Sequence, residues 1–218
     1  MKTIYLLSGP INDEFDKEIK KYLKKDLKGL KSITFIASTP DKPSKTDSYV
    51  YGNIDNIKGL LYALKDVSNF TKVTVLDNRI RDGKDIILNS EVIYIMGGDP
   101  ITQNKYLKDN GYDKILKNYN GIILGTSAGA MNIATKAYYS KDEDYDKSFF
   151  FDGIDLVNIT VDPHFDINNK EQVKEAKKNS KINKIYGLPN PSAIRICKNI
   201  SYIGKCYIFN NGELEEIN

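Results

Sequence analysis

The stretch GIILGTSAGAM, Gly121 to Met131, decides how the rest of this chain reads. Ile122, Ile123 and Leu124 make an apolar run of strand length, and the run ends in Gly125-Thr126-Ser127-Ala128-Gly129. Small residues on both sides of one serine let the backbone pass through a sharp strand-to-helix turn. The turn lifts that hydroxyl above the sheet, which is the G-x-S-x-G pattern of a nucleophile elbow. Ser127 is therefore the candidate nucleophile. Alone, the same residues also fit a glycine-rich turn with an incidental serine, so the weight falls on the flanking chain.

Upstream, strand and helix patterns alternate. Residues 3–7, 32–37, 72–76 and 92–96 are short β-rich or wholly apolar runs, and the last is bounded by Gly97-Gly98-Asp99-Pro100. Between them, apolar residues recur at helical spacing. Phe15, Ile19, Tyr22, Leu23 and Leu27 mark a helix over 12–27, and Ile54, Ile57, Leu60, Leu61 and Leu64 mark one over 49–67. Shorter helices are expected at 85–89, 101–108 and 114–118. Residues 39–47, with two prolines, read as a loop, and Tyr49, Tyr51 and Tyr62 as packing residues. Repeated strand-helix units imply an α/β fold: one doubly wound, mostly parallel sheet flanked by helices, with the functional residues at the strands' C-terminal edge. After the elbow a helix is expected to about residue 137, then an acidic and aromatic loop over 138–152. A β-like run over 154–161 delivers Asp162-Pro163-His164-Phe165, a lysine-rich helix follows over 168–179, and short strands at 185–188, 193–197, 202–203 and 207–209 extend the sheet antiparallel.

Composition narrows the function classes. The chain has 218 residues, 40% of them hydrophobic, which suits one domain with one sizeable core. Its 32 basic and 29 acidic residues are well mixed and leave a net charge of +3, so no basic face points to nucleic acid. No run approaches the length of a membrane span, and the amino terminus lacks a signal-peptide pattern, so a cytoplasmic protein with no membrane association is expected. Cys197 and Cys206 fall on what read as neighbouring strands, and they make no metal-ligand spacing with the one histidine. No cofactor or metal is called for, and assembly as a homo-oligomer is compatible with the sequence.

A serine needs a base within hydrogen-bond reach, and histidine is the usual one. His164 is the only histidine in the chain, directly after a strand pattern and in a proline-containing turn. It is the candidate base. Gly97 and Gly98, at the end of the preceding apolar strand, can expose backbone N–H groups. With the N–H of Ala128, the residue after the nucleophile, they are the candidate oxyanion hole.

Together Gly97-Gly98-Asp99, Gly125-Thr126-Ser127-Ala128-Gly129-Ala130 and Pro163-His164-Phe165 resemble the peptidase E and cyanophycinase group of serine peptidases, built on the class I glutamine amidotransferase-like fold. The histidine lies 37 residues after the serine, as in the aspartyl dipeptidase branch, and Gly187-Leu188-Pro189 also resembles that branch. The resemblance implies a Ser-His-acid triad in the order nucleophile, acid, base, hydrolysing dipeptides or short peptides through an acyl-enzyme. An ungapped match puts the acid at Asp142, with Glu143, Asp144 and Asp146 as close alternatives. It also places Asp99 and Lys170 at the substrate. Lys170 stands where the aspartyl dipeptidases carry an arginine that reads an acidic P1 side chain, and lysine lacks the bidentate fork. An amidotransferase reading is disfavoured by serine at the elbow; a peptide-binding module without turnover is the other alternative.

Overall fold

The computed structural model describes residues 2–10, 14–52 and 58–217. Strands and helices alternate through the first part: β1 (Thr3–Leu7), α1 (Lys17–Asp26), β2 (Ser32–Ile36), α2 (Pro43–Tyr51), α3 (Gly59–Leu64), β3 (Lys72–Leu76), α4 (Lys84–Leu88), β4 (Val92–Ile95), α5 (Pro100–Asp109), α6 (Tyr112–Asn118), β5 (Ile122–Thr126) and α7 (Ala128–Ile133). β1, β5, β4, β2 and β3 lie side by side in that order, all parallel. Alternate residues of each strand enter different cores. Ile4, Leu6, Ile93, Ile95 and Ile123 meet Leu107 and Leu116 of α5 and α6 on one face. Tyr5, Leu7, Phe35, Tyr94 and Leu124 meet Ile19 and Leu23 of α1 on the other. Burial on both faces is why these strands read as continuous apolar runs instead of alternating ones.

The first helix starts later than its apolar spacing suggests, because Asp16 accepts the Glu18 N–H at 2.8 Å and caps it there. Among the described residues, the span 49–67 holds the end of one helix, α2, and the whole of another, α3. α2 begins in the expected loop, since Pro43 occupies its first turn, where a missing N–H costs nothing. It closes at Gly52, and α3 follows. Leu64 is buried, and Leu60 and Leu61 pack against the same core, while Ile54 and Ile57 lie outside the described residues.

Beyond the elbow the expectations change more. α7 stops at Ile133, and the chain turns into a hairpin of β6 (Lys136–Tyr139) and β7 (Phe149–Asp152), so residues 138–152 are not all loop. Aromatic side chains on both faces hide the two-residue period that marks a half-buried strand. Tyr139 stacks on Phe149 with centroids 5.3 Å apart, and Tyr138 meets Phe150 at 5.1 Å. The β-like run over 154–161 condenses to β8 (Thr160–Pro163), followed by α8 (Lys170–Asn179), β9 (Ile185–Leu188), β10 (Ala193–Ile196), β11 (Ile200–Ile203), β12 (Cys206–Asn210) and β13 (Glu213–Ile217). Only β10 and β11 extend the main sheet antiparallel, beside β1. β9, β12 and β13 join β8 in a second sheet of order β13-β12-β9-β8. The two cysteines are therefore not on neighbouring strands: Cys206 is buried on β12, while Cys197 lies just after β10, and neither forms a disulfide. No helix among the described residues is long and apolar enough to cross a membrane.

Candidate active site

The site is assembled where β1, β4, β5, β8 and β9 end. Leu7 pairs with Thr126, and the Ser127 N–H donates to Leu7 O at 2.9 Å, which fixes the elbow to the end of β1. Ser127 has φ 51° and ψ −112°, a conformation rare for a side chain of its kind and the strained geometry that G-x-S-x-G implies. Gly129 shows why the elbow needs small residues. A Cβ there would lie 2.1 Å from Ile95 O, so the first turn of α7 packs directly on the end of β4.

His164 follows β8 with φ 58°. Its neighbour Phe165 is buried against Tyr207 and Phe209, each with ring centroids 5.4 Å away, and this anchor turns the histidine out of the second sheet toward the elbow. His164 Nε2 lies 2.8 Å from Ser127 Oγ. With the proton on Nδ1, Nε2 accepts from the serine hydroxyl, which is the arrangement of a nucleophile with its general base. Partial burial of the ring lowers the His164 pKa below its ordinary value, and the contact with Asn190 offsets part of that shift. The imidazole is thereby held neutral and able to accept a proton near neutral pH.

The partner on Nδ1 is not Asp142. Nδ1 faces the Asn190 carboxamide, 3.2 Å from Oδ1 and 3.0 Å from Nδ2. Asn190 Oδ1 also accepts from the hydroxyl of Ser8, the residue after β1. The parallel register of Pro163 with Leu188 brings the ends of β8 and β9 together, which sets His164 and Asn190 side by side. Asp142 is occupied elsewhere. Its Oδ2 accepts from the Tyr139 hydroxyl at 2.7 Å, and its Oδ1 accepts the N–H groups of Asp144 and Tyr145 at 2.9 and 3.0 Å, closing the β6–β7 turn. Among the described residues no hydrogen bond joins Asp142, Glu143, Asp144 or Asp146 to the histidine. The side chain beside the histidine is thus an amide that follows it in the chain, and not one of the acidic residues between Ser127 and His164.

Gly97, Gly98 and Ala128 do converge on the serine. A Cβ on Gly97 would touch Ser127 Cβ at 3.4 Å. Gly98 has φ 135°, and a Cβ there would fall 2.2 Å from Ser38 Oγ, so only glycine fits this loop. Ser127 caps α7 without its side chain taking a helix N–H, which leaves its hydroxyl to His164 and the Ala128 N–H at the helix start. A buried amide cluster supports the glycine loop from below. Gln103 Nε2 donates to Met96 O at 2.8 Å, Asn132 Nδ2 donates to Pro100 O at 2.9 Å, and Asn104 Nδ2 donates to Asn132 Oδ1 at 2.9 Å. These amides carry no sequence pattern that announces them.

Two expected substrate contacts fare differently. Asp99 lines the cleft, but its Oδ1 caps α5 by accepting from the Ile101 and Thr102 N–H groups at 2.8 and 2.9 Å. Lys170 is the exposed first residue of α8 and lines none of the cavities at Ser127. The cation that does line the main cleft is Lys45 on α2. That cleft, about 810 Å³, runs from Ser127 and His164 between Tyr49, Tyr139 and Tyr145. Tyr49, 44% exposed, is therefore part of the cleft wall and not a packing residue. A second cavity of about 300 Å³ is also lined by Ser127 and His164, together with Asp162 and Gln172.

The family model for peptidase family S51 matches residues 4–201. No curated protein matches the chain. Among solved structures, the chain is similar to a peptidase from an acI-B1 Actinobacterium, with a TM-score of 0.70 and 14% identity over 100% of this chain and 94% of that one. It is also similar to a provisionally assigned peptidase E from Listeria monocytogenes EGD-e, with a TM-score of 0.64 and 19% identity over 93% of this chain and 98% of that one. At these identities the two structures bear on the fold, which they share with this chain.

Proposed function

The chain belongs to peptidase family S51 and is a serine peptidase, and we propose that it hydrolyses dipeptides or short peptides with Ser127 as nucleophile and His164 as general base. The observation that carries this reading is the 2.8 Å contact of His164 Nε2 with Ser127 Oγ at the floor of an open cleft. In the proposed sequence His164 takes the hydroxyl proton as Ser127 Oγ attacks the peptide carbonyl. The N–H groups of Gly98 and Ala128, with Gly97 shaping the loop, receive the developing oxyanion. The imidazolium then gives its proton to the leaving amine, the acyl-enzyme forms, and water activated by His164 releases the second product. Asn190 acts as a positioning residue, accepting from Nδ1–H so that Nε2 faces the serine. A His-Asn pair serves the same end in cysteine proteases.

The test is hydrolysis of a dipeptide library arrayed by P1 residue. Turnover is expected for the native chain, with Ser127→Ala and His164→Ala each reduced to background. A folded chain that cleaves no member, or a Ser127→Ala variant as active as the native chain, would overturn the reading in favour of a binding module.

A further inference from the structure

We propose that the smaller cavity beside Ser127 receives a lysine or arginine side chain flanking the scissile bond, so that this peptidase prefers a cationic neighbour to an acidic one. The inference rests on the peptidase reading above and names its substrate class. It starts from Asp162, which is 2% exposed and lines the cavity two residues before the base. Its carboxylate accepts from Ser140 Oγ at 2.5 Å and from Gln172 Nε2 at 3.2 Å. Both donors are neutral. A carboxylate has about four acceptor sites, so roughly half of its capacity is unused.

A buried carboxyl without a counter-charge is costly to ionise, and here burial pushes the Asp162 pKa up to about 6. Asp162 lines the cavity, among the described residues no cation pairs with it, and a cation arriving there would favour its charged form. Lys141 lines the same cavity, but its ammonium is 2.9 Å from Glu171 Oε1 on the surface of α8. An incoming ammonium or guanidinium would supply the missing charge and the missing donors together.

The neighbouring surface has the same sign. A contiguous cavity of about 390 Å³ shares Ser140, Lys141, Asp142 and Gln172 with the first and adds Glu143, Glu171 and Glu175. A substrate carboxylate in these cavities would meet Asp162 and Asp142 with the one local lysine already paired. The exposed Lys170 is outside both cavities and offers it nothing.

The experiment measures kcat/KM for Arg-Leu, Lys-Leu, Asp-Leu and Leu-Leu, and for the reversed sequences Leu-Arg, Leu-Lys and Leu-Asp. In one of the two orders the cationic dipeptides are expected to exceed the aspartyl one by about tenfold or more, as a charge-assisted hydrogen bond allows. Asp162→Asn should lower the ratio of cationic to Leu-Leu turnover by a similar factor. Gln172→Lys, at a partly exposed position, places an ammonium beside Asp162 and should remove the same preference if Asp162→Asn does not fold. Cleavage of Leu-Leu with no cationic preference in either order overturns the inference while leaving the peptidase reading intact. So does a ratio unmoved by Gln172→Lys. Failure to cleave any of the dipeptides removes the reading on which the inference stands.

Discussion

Replacing Asn190 tests the part of the site that departs most from expectation. In the folded chain Asn190 Oδ1 lies 3.2 Å from His164 Nδ1 and is tethered by the Ser8 hydroxyl. During attack by Ser127 the imidazole becomes imidazolium, and the Nδ1–H contact becomes a hydrogen bond from a charged donor. Such a bond contributes about 1.5–3 kcal/mol, against about 0.5–1.5 kcal/mol between neutral groups. Asn190→Ala removes the acceptor, and since the neutral bond is already made before attack only its strengthening by about 1–1.5 kcal/mol counts, so kcat/KM should fall by about 5- to 13-fold at 1.36 kcal/mol per factor of ten. The loss belongs in kcat, because Asn190 does not line the cleft at Ser127. Asn190→Asp puts a full negative charge against the imidazolium and should raise kcat/KM on the plateau by roughly 5- to 10-fold, a gain of about 1 kcal/mol or slightly more. It should also move the pH profile. The base works when neutral, so kcat/KM climbs with pH through the His164 pKa, which lies below its ordinary value. A carboxylate favours the protonated ring, raises that pKa and shifts the rising limb to higher pH. Steady-state kinetics between pH 5 and 9, with circular dichroism of each variant, read both effects. A folded Asn190→Ala variant within twofold of the native chain, or an Asn190→Asp limb that stays in place, would refute the assignment. A limb moved by Asp142→Asn instead would return the third role to the acidic loop.

Three further outcomes follow from the packing. Gly129→Ala places a methyl 2.1 Å from Ile95 O, so the elbow must shift; about 1–3 kcal/mol of stability should be lost in urea titrations, with activity lost beyond that expected from unfolding. Arg195→Ala breaks the pair of Arg195 Nε with Asp26 Oδ2 at 2.6 Å, both half-buried beside Tyr5, and should destabilise by about 1.5–3 kcal/mol. In the native chain that pairing depresses the Asp26 pKa, so the stabilisation is present above the unfolded carboxyl's pKa and is lost as pH falls through the depressed one; the variant should therefore show a weaker loss of stability on acidification. Lys170→Ala should leave the ratio of Asp-X to Leu-X turnover unchanged, since Lys170 lines no cavity at the serine.

What the sequence makes legible is what is local. The elbow declares itself through Gly125, Ser127 and Gly129 because steric demands act within five residues, and the parallel strands declare themselves because burial on both faces removes polar residues from them. His164 is identified because the chain holds no other histidine. Asn190 is not legible in the same way. Its place beside His164 depends on the β8–β9 register and on Ser8 at the end of a different sheet, and an amide carries no signature when a carboxylate is sought. Gly187-Leu188-Pro189 leads directly to it, yet its place beside the histidine is a tertiary fact. The β6–β7 hairpin is hidden for another reason, since aromatic residues cover both of its faces. Asp162 stands in the quoted Asp162-Pro163-His164-Phe165, but only its burial distinguishes it from a surface carboxylate.

The central claim is that Ser127 is a nucleophile activated by His164, and covalent labelling tests it without knowledge of the natural substrate. A fluorophosphonate incubated with the folded chain, followed by peptide mapping in the mass spectrometer, should add one phosphonyl group at Ser127. Labelling should vanish in Ser127→Ala and slow sharply in His164→Ala. An unlabelled Ser127 in folded protein, or labelling at the same rate without His164, would contradict the account.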